Sequence, residues 1–140
     1  MIPHGYVIRK AATTDIETLQ RLERASFSSD LLSARQMRFH VTNPKALFLV
    51  CAETEENGVV GYILAFLPAG RAARLYSLCV GPDHRGNNLS NALIKNTLKT
   101  IEQNGKTDII LEVDTKNERA ISLYQSFGFR PVRMIPGYYE

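Results

Sequence analysis

The alternation of apolar and polar positions predicts a strand and then a helix at the start of the chain. Side chains in Gly5–Ala11 alternate in the way that is typical of a half-buried strand. Thr14–Glu17 has the form of a capping box, which predicts that a helix begins there. Ile16, Leu19 and Leu22 would share the apolar face of that helix.

The middle of the chain predicts a short helix and three antiparallel strands. The helix would cover Ser33–His40 and would end before Asn43-Pro44, because the residue before proline is pushed out of helical geometry. Three β-rich apolar runs follow, at Ala46–Glu53, Val59–Leu67 and Ala72–Val80. The turn signal Glu56-Asn57-Gly58 separates the first two runs, which therefore predict a hairpin.

The second half predicts alternating helices and strands. A helix with apolar residues from Leu89 to Ile101 on one face would stop at Asn104-Gly105. Three further elements are predicted: a strand at Asp108–Val113, a helix at Asn117–Phe127 and a strand at Phe129–Ile135. This order predicts an α/β (α+β) fold: a mixed, mostly antiparallel sheet with helices on both faces.

Length and charge limit the class of protein. The 140 residues predict one domain covering 1–140, with 17 Lys and Arg against 14 Asp and Glu. The basic residues are spread over several segments without interleaved aromatic residues, which argues against a nucleic-acid partner. No apolar run is long enough to span a membrane or serve as a secretion signal, so we expect a cytoplasmic protein. Cys51 and Cys79 lie in apolar runs and read as buried hydrophobic residues, and no ligand spacing supports a metal site.

The stretch from Leu78 to Ser90 is the most informative for chemistry. An apolar strand runs into a turn rich in Gly and Asn, with one arginine, Arg85, and the turn opens directly into a helix. Such a turn presents backbone N–H groups at the positive end of a helix dipole, which is a site for phosphate. The alternative is a simple connection between a strand and a helix, and Arg85 favours anion binding.

This stretch resembles the acetyl-CoA pyrophosphate loop of GCN5-related N-acetyltransferases, whose pattern is Q/R-x-x-G-x-G/A. A second run, Leu111-Glu112-Val113, Asn117, Ala120-Ile121, Leu123-Tyr124 and Phe127-Gly128-Phe129, is similar to that of bacterial ribosomal-protein alanine N-acetyltransferases. Asn88 and Ser90 depart from the loop pattern, since the family has Gly at the first position and Gly or Ala at the second. Asn tolerates left-handed backbone angles, so Asn88 can keep the turn. The Ser90 hydroxyl would either hydrogen-bond phosphate or narrow the site.

The resemblance implies acetyl-CoA as co-substrate and assigns residues to it. The pantetheine arm would lie along a splayed strand at Leu78, Cys79 and Val80. The pyrophosphate would lie against the six residues of the loop: Arg85, Gly86, Asn87, Asn88, Leu89 and Ser90. Asn117 and Tyr124 would contact the cofactor toward its sulfur end.

The resemblance also implies the catalytic pair. Glu112 would be the general base that removes a proton from the amine, and Tyr124 would be the general acid that protonates the leaving thiolate. Without the resemblance, Glu112 reads as an outward-facing strand residue and Tyr124 as a core aromatic residue. With it, the sequence predicts direct acetyl transfer without a covalent enzyme intermediate.

The acceptor is less well marked. Tyr138-Tyr139 resembles the tyrosine pair that lies over the acceptor backbone in peptide-acetylating relatives, and Phe27 to Leu32 would form the opposite wall. We therefore expect a protein N-terminal amine as acceptor. Two alternatives remain: a small-molecule amine acetyltransferase, and a non-catalytic acyl-CoA-binding or interaction domain.

The end of the chain carries one further expectation. Family members usually continue with a final strand between the strands that correspond here to Asp108–Val113 and Phe129–Ile135, and this strand is missing. Two strands facing an empty slot would leave backbone groups unpaired. We expect either a longer natural chain or a filled slot, for example in a homodimer.

Overall fold

The computed structural model describes residues 2–27, 31–55, 58–111 and 118–128. These residues divide after Ile110 into two units, and each is described by itself. The predicted strand at Phe129–Ile135 and the slot beside it lie outside the described residues. A homodimer and a single domain over 1–140 therefore stay predictions.

In the part of the chain that the structure describes, five strands form one sheet in the order β1-β2-β3-β4-β5. Their bounds are Tyr6–Lys10 for β1, Ala46–Glu53 for β2, Val59–Phe66 for β3, Ala72–Val80 for β4 and Asp108–Leu111 for β5. The pairs β1–β2, β2–β3 and β3–β4 are antiparallel, which confirms the predicted hairpin and central strands.

The described residues contain four α-helices. They are α1 at Ile16–Ser26, α2 at Ala34–Thr42, α3 at Leu89–Gln103 and α4 at Glu118–Ser126. The predicted α2 is confirmed, and its N-terminus is a capping box: the Ser33 hydroxyl accepts from Gln36 N at 3.1 Å, and Ser33 N donates to the Gln36 side chain at 2.8 Å. Among the described residues, no helix is long and apolar enough to cross a membrane. The cytoplasmic location stays a prediction.

The central sheet is covered on both faces. Phe48, Val50, Tyr62 and Leu64 belong to one core cluster with residues of α1 and α2. The intervening residues of β2 and β3 are also buried, although alternation turns them to the opposite face, where α3 contacts these strands. Burial of both faces explains why these strands are continuous apolar runs. The predicted sheet with helices on both faces is confirmed.

The start of α1 corrects the sequence analysis. A capping box at Thr14–Glu17 was expected, but the chain enters α1 through a 3₁₀ turn at Thr13–Asp15. The Asp15 carboxylate accepts from Ala12 N at 2.7 Å and pairs with both terminal nitrogens of Arg9, at 2.8 and 2.9 Å. Because the Asp15 carboxylate caps Ala12 N, the first turn begins earlier than the expected capping box indicates, and Arg9 holds that carboxylate.

This ion pair predicts a pH-dependent stability. Hydrogen bonding to Arg9 holds the pKa of Asp15 below its ordinary value of 3.8, so its contribution is present above that pH and is lost as the pH falls through the folded pKa. We expect Asp15→Asn to lower the free energy of unfolding by about 1–3 kcal/mol at neutral pH, and by less in acid. Urea unfolding at pH 7 and pH 3 measures both. Glu17→Gln, which removes an exposed pair with Arg21, is the control and should change little. An equal loss at both pH values would contradict the prediction.

A bulge in β4 decides which side chains of its last part face α1. Leu64 pairs with Ser77, whereas Ala65 pairs with Leu75, so Tyr76 is an extra residue. In a regular strand Leu75 and Ser77 would point to the same face. Here Leu75 points to the α3 face with its partner Ala65, and Ser77 points to the α1 face with its partner Leu64. The bulge therefore turns Ser77 and Cys79 toward α1, while Leu78 and Val80 face α3.

Candidate active site

The turn between β4 and α3 has backbone angles that few residue types adopt. Gly86 has φ +87°, and Asn88 has φ 60° and ψ 22°, the only positive φ among the described residues other than glycine. Asn is among the few side chains that tolerate this left-handed geometry. Asn88 thus supports the turn at a position where glycine was expected.

The same turn exposes a row of backbone donors. In the described part of the chain, none of the N–H groups from Gly86 to Asn91 has a protein acceptor. They lie at the N-terminus of α3, a 15-residue helix, where the dipole is positive. The Arg85 side chain adds a charge beside them, and its Nε donates to Val80 O at 3.1 Å. Free donors, a positive dipole end and one arginine fit the pyrophosphate group of a nucleotide cofactor.

Tyr6 of β1 supports the turn from the side. Its hydroxyl lies 3.0 Å from His84 Nδ1 and accepts from Asn87 Nδ2 at 3.3 Å. Its ring also meets the His84 imidazole edge to face, with ring centroids 5.9 Å apart. The sequence analysis missed Tyr6, because this contact joins the first strand to a loop 78 residues later.

A buried polar cluster lies where α1 crosses β3 and β4. Glu23 is 3% exposed, and its two carboxylate oxygens accept from Tyr62 Oη at 2.5 Å and from Leu32 N at 2.6 Å. Tyr62 Oη also lies 3.0 Å from Ser77 Oγ. Burial and the carboxylate raise the pKa of Tyr62, so the phenol keeps its proton. The sequence analysis missed these residues, since Glu23 looks like an ordinary polar position on a helix.

Both cysteines are buried and free, which confirms their interpretation as buried residues. Burial raises the pKa of Cys51 to about 11. Burial also raises the pKa of Cys79, although the bond to Ser26 and the charge of Arg85 oppose that rise. The thiol is therefore the stable form of each at neutral pH, which is unsuited to a nucleophile. The described residues contain no group of three or more potential metal ligands.

The second unit contains Tyr124 on α4. This residue is partly buried, and burial raises the pKa of its phenol. A raised pKa keeps the hydroxyl protonated at neutral pH, as a proton donor requires. The helix ends at Ser126, one residue before the predicted end at Phe127, and Gly128, the predicted stop signal, has φ +92°.

The remaining predicted site residues have the following places. Cys79 and Val80 are buried and Leu78 is partly buried at the end of β4. Phe27 is 39% exposed after α1, whereas Leu32 is 5% exposed and its side chain belongs to the core cluster. Four predicted site residues lie outside the described residues: Glu112, Asn117, Tyr138 and Tyr139.

The fold and the turn define the class of protein. Ard1 from Thermoplasma volcanium, at 27% identity, has a similar structure with a TM-score of 0.85, covering 97% of this chain and 90% of that one. The model of the acetyltransferase (GNAT) family matches residues 13–129, and this chain belongs to that family. It is an N-acetyltransferase, and the family uses acetyl-CoA.

Relatives agree with this assignment. An uncharacterized N-acetyltransferase of Methanocaldococcus jannaschii is 31% identical over 96% of this chain and 84% of the relative. An N-alpha-acetyltransferase of Sulfolobus acidocaldarius is 27% identical over 96% of this chain and 86% of its own length. The resemblance to ribosomal-protein alanine N-acetyltransferases is also confirmed: the Escherichia coli bS18 enzyme is 34% identical over 48% of this chain and 45% of the enzyme.

Proposed function

We propose that this protein transfers the acetyl group of acetyl-CoA to the α-amine of a protein or peptide N-terminus. The observation that carries the cofactor part is the row of N–H groups from Gly86 to Asn91 without protein acceptors, beside Arg85. The names of the Sulfolobus N-alpha-acetyltransferase and the bS18-alanine enzyme support the acceptor part.

The loop residues present fit the pyrophosphate. In this proposal, backbone donors from Gly86 to Ser90 and the Arg85 guanidinium hold the two phosphates, while Leu78 to Val80 line the pantetheine arm. Ser90 lies in the first turn of α3, where its hydroxyl is an additional donor. Tyr6 keeps the loop in place through His84 and Asn87.

The proposed reaction needs several proton movements. The acceptor nitrogen attacks the thioester carbonyl and forms the amide bond, and the carbon–sulfur bond breaks. Glu112, directly or through a water, takes the proton that the ammonium loses before attack and releases it to solvent, and Tyr124 gives its phenolic proton to the leaving thiolate. The second proton, which the nitrogen loses as the amide forms, restores the Tyr124 phenol. Asn117 is proposed to contact the cofactor near its sulfur.

The acceptor would lie between Phe27 and the tyrosine pair Tyr138-Tyr139. The Leu32 side chain is in the core and is not available to an acceptor. In this proposal Phe27 and Leu31, which are 39% and 41% exposed, form the acceptor wall instead. A screen of acetylation by intact mass, on peptides with different first residues and on polyamines, tests this proposal. Acetylation of polyamines alone would overturn the N-terminal acceptor.

Calorimetry with acetyl-CoA tests the cofactor site. We expect Arg85→Ala to weaken acetyl-CoA binding by roughly tenfold, because charge-assisted hydrogen bonds to phosphate contribute about 1.5–3 kcal/mol each. Arg35→Ala, which removes an exposed arginine of α2, is the matched control and should bind as the wild type does. Absence of binding at millimolar acetyl-CoA in the wild type would overturn the cofactor site, and equal binding by Arg85→Ala would remove that residue from it.

A further inference from the structure

Glu23 has a carboxylate whose two oxygens are both occupied inside the protein. It lies in the last turns of α1, one oxygen accepting from the Tyr62 hydroxyl and the other from the backbone of Leu32. A buried carboxylate is costly unless hydrogen bonds satisfy it, and charge-assisted bonds are the strong ones. Both contacts are short, so Glu23 is held on two sides.

These contacts join two regions of the proposed active site. One region is the segment around Leu32, with exposed Leu31 before it and, at the end of α1, exposed Phe27. The other region is the end of β4, because the Tyr62 hydroxyl that contacts Glu23 also contacts Ser77 Oγ, two residues before Cys79. A second contact runs in parallel, with Ser26 Oγ lying 3.0 Å from Cys79 Sγ.

Catalysis needs this spacing to be constant. An acceptor held against Phe27 and Leu31 reacts only if its amine meets the thioester of a cofactor lying along β4, and small errors in such positioning reduce rates strongly. Leu32 is well suited as the anchor point, since its side chain is in the core and its N–H is held by Glu23. The two exposed apolar side chains favour an acceptor whose first side chain is apolar.

We propose that Glu23 is a positioning residue that sets the apolar acceptor wall, Phe27 and Leu31, at a fixed distance from the cofactor strand β4. It thereby controls affinity for N-termini whose first side chain is apolar. This inference rests on the proposed function.

Two substitutions separate the anchor from the charge. In Glu23→Gln, the amide oxygen can still accept from Leu32 N, while the amide nitrogen donates to the Tyr62 hydroxyl, which turns its proton to Ser77 Oγ. The anchor is kept and only the charge is lost. Glu23→Ala removes the anchor, so Leu32 N and Tyr62 Oη lose the carboxylate that accepts their hydrogen bonds.

The experiment is steady-state acetylation of a peptide with an apolar first residue, with peptide and acetyl-CoA varied separately. We expect Glu23→Ala to raise the peptide KM by at least about tenfold and Glu23→Gln, which keeps the anchor, by no more than about threefold, with the acetyl-CoA KM within about twofold of the wild type. Tyr62→Phe removes the contacts of the Tyr62 hydroxyl with Glu23 and Ser77 and keeps the bond from Leu32 N to Glu23. It serves if the alanine variant does not fold, with an expected rise of about threefold. A peptide with a charged first residue should be affected less.

Asp15→Asn is the matched control, since it removes another buried carboxylate at the start of α1. The Asp15 carboxylate contacts Arg9 and Ala12 and has no part in the link between Leu32 and β4. Loss of stability alone lowers the active fraction, and so kcat, without raising one KM selectively. A peptide KM that is unchanged in Glu23→Ala and in Tyr62→Phe, or that rises equally in Asp15→Asn, would overturn the inference while leaving the proposed function intact. Absence of wild-type turnover on every peptide would overturn the proposed function and remove the inference with it.

Discussion

Replacement of Tyr124 by phenylalanine is expected to lower turnover by about 10²–10⁴-fold, while acetyl-CoA affinity changes by less than about twofold. The substitution removes one hydroxyl and keeps the ring, so packing around α4 is nearly preserved. Burial raises the pKa of Tyr124, so the phenol stays protonated at neutral pH, which is compatible with the proposed role. Single-turnover acetylation, in which chemistry is not masked by product release, measures the effect.

Tyr76→Phe is the control for Tyr124→Phe. It removes another phenol, on β4, where the ring is 42% exposed and packs against Phe66. We expect wild-type turnover in this variant. A wild-type single-turnover rate in Tyr124→Phe would show that Tyr124 has a packing role only.

Ser90→Asp is expected to lower acetyl-CoA affinity by at least about 100-fold without loss of stability. A carboxylate in the first turn of α3 interacts favourably with the helix dipole, so the free energy of unfolding should be unchanged or slightly higher. The same carboxylate repels a pyrophosphate and competes for its backbone donors. Calorimetry with acetyl-CoA and thermal unfolding measure the two effects independently.

Ser90→Gly is the matched variant for Ser90→Asp. It restores the small residue of the family loop, and we expect acetyl-CoA binding that is equal to or tighter than that of the wild type. If Ser90→Asp binds acetyl-CoA as tightly as the wild type, the pyrophosphate does not lie at the N-terminus of α3. Weaker binding by Ser90→Gly would instead show that the hydroxyl contacts the cofactor.

Elements with local signals could be predicted from the sequence. The helix α2 was predicted from Asn43-Pro44, a signal that lies within a few residues of the helix end it marks. The buried strands β2 and β3 were evident because burial on both faces leaves no polar alternation. The turn before α3 was likewise evident, since its Gly and Asn residues serve backbone angles that few residues adopt.

Features that depend on distant partners could not be predicted. The ion pair of Arg9 in β1 with Asp15 at the start of α1 has no signal in either segment. The bulge at Tyr76 has no signal in its own residues, since it is defined by the register with β3. Catalytic roles for Glu112 and Tyr124 came from resemblance to a family, and they stay predictions.

The sequence by itself determined the order of the described strands and helices, the family, and the loop from Arg85 to Ser90, because these depend on periodicity and on short runs of residues. Only the tertiary structure decided that Tyr6 supports the loop and that Glu23 joins Leu32 to Tyr62. The physical reason is that the hydrogen-bond partner of a polar side chain is fixed only when folding removes the side chain from water. A buried carboxylate must then find donors, and those donors belong to segments that the sequence keeps far apart.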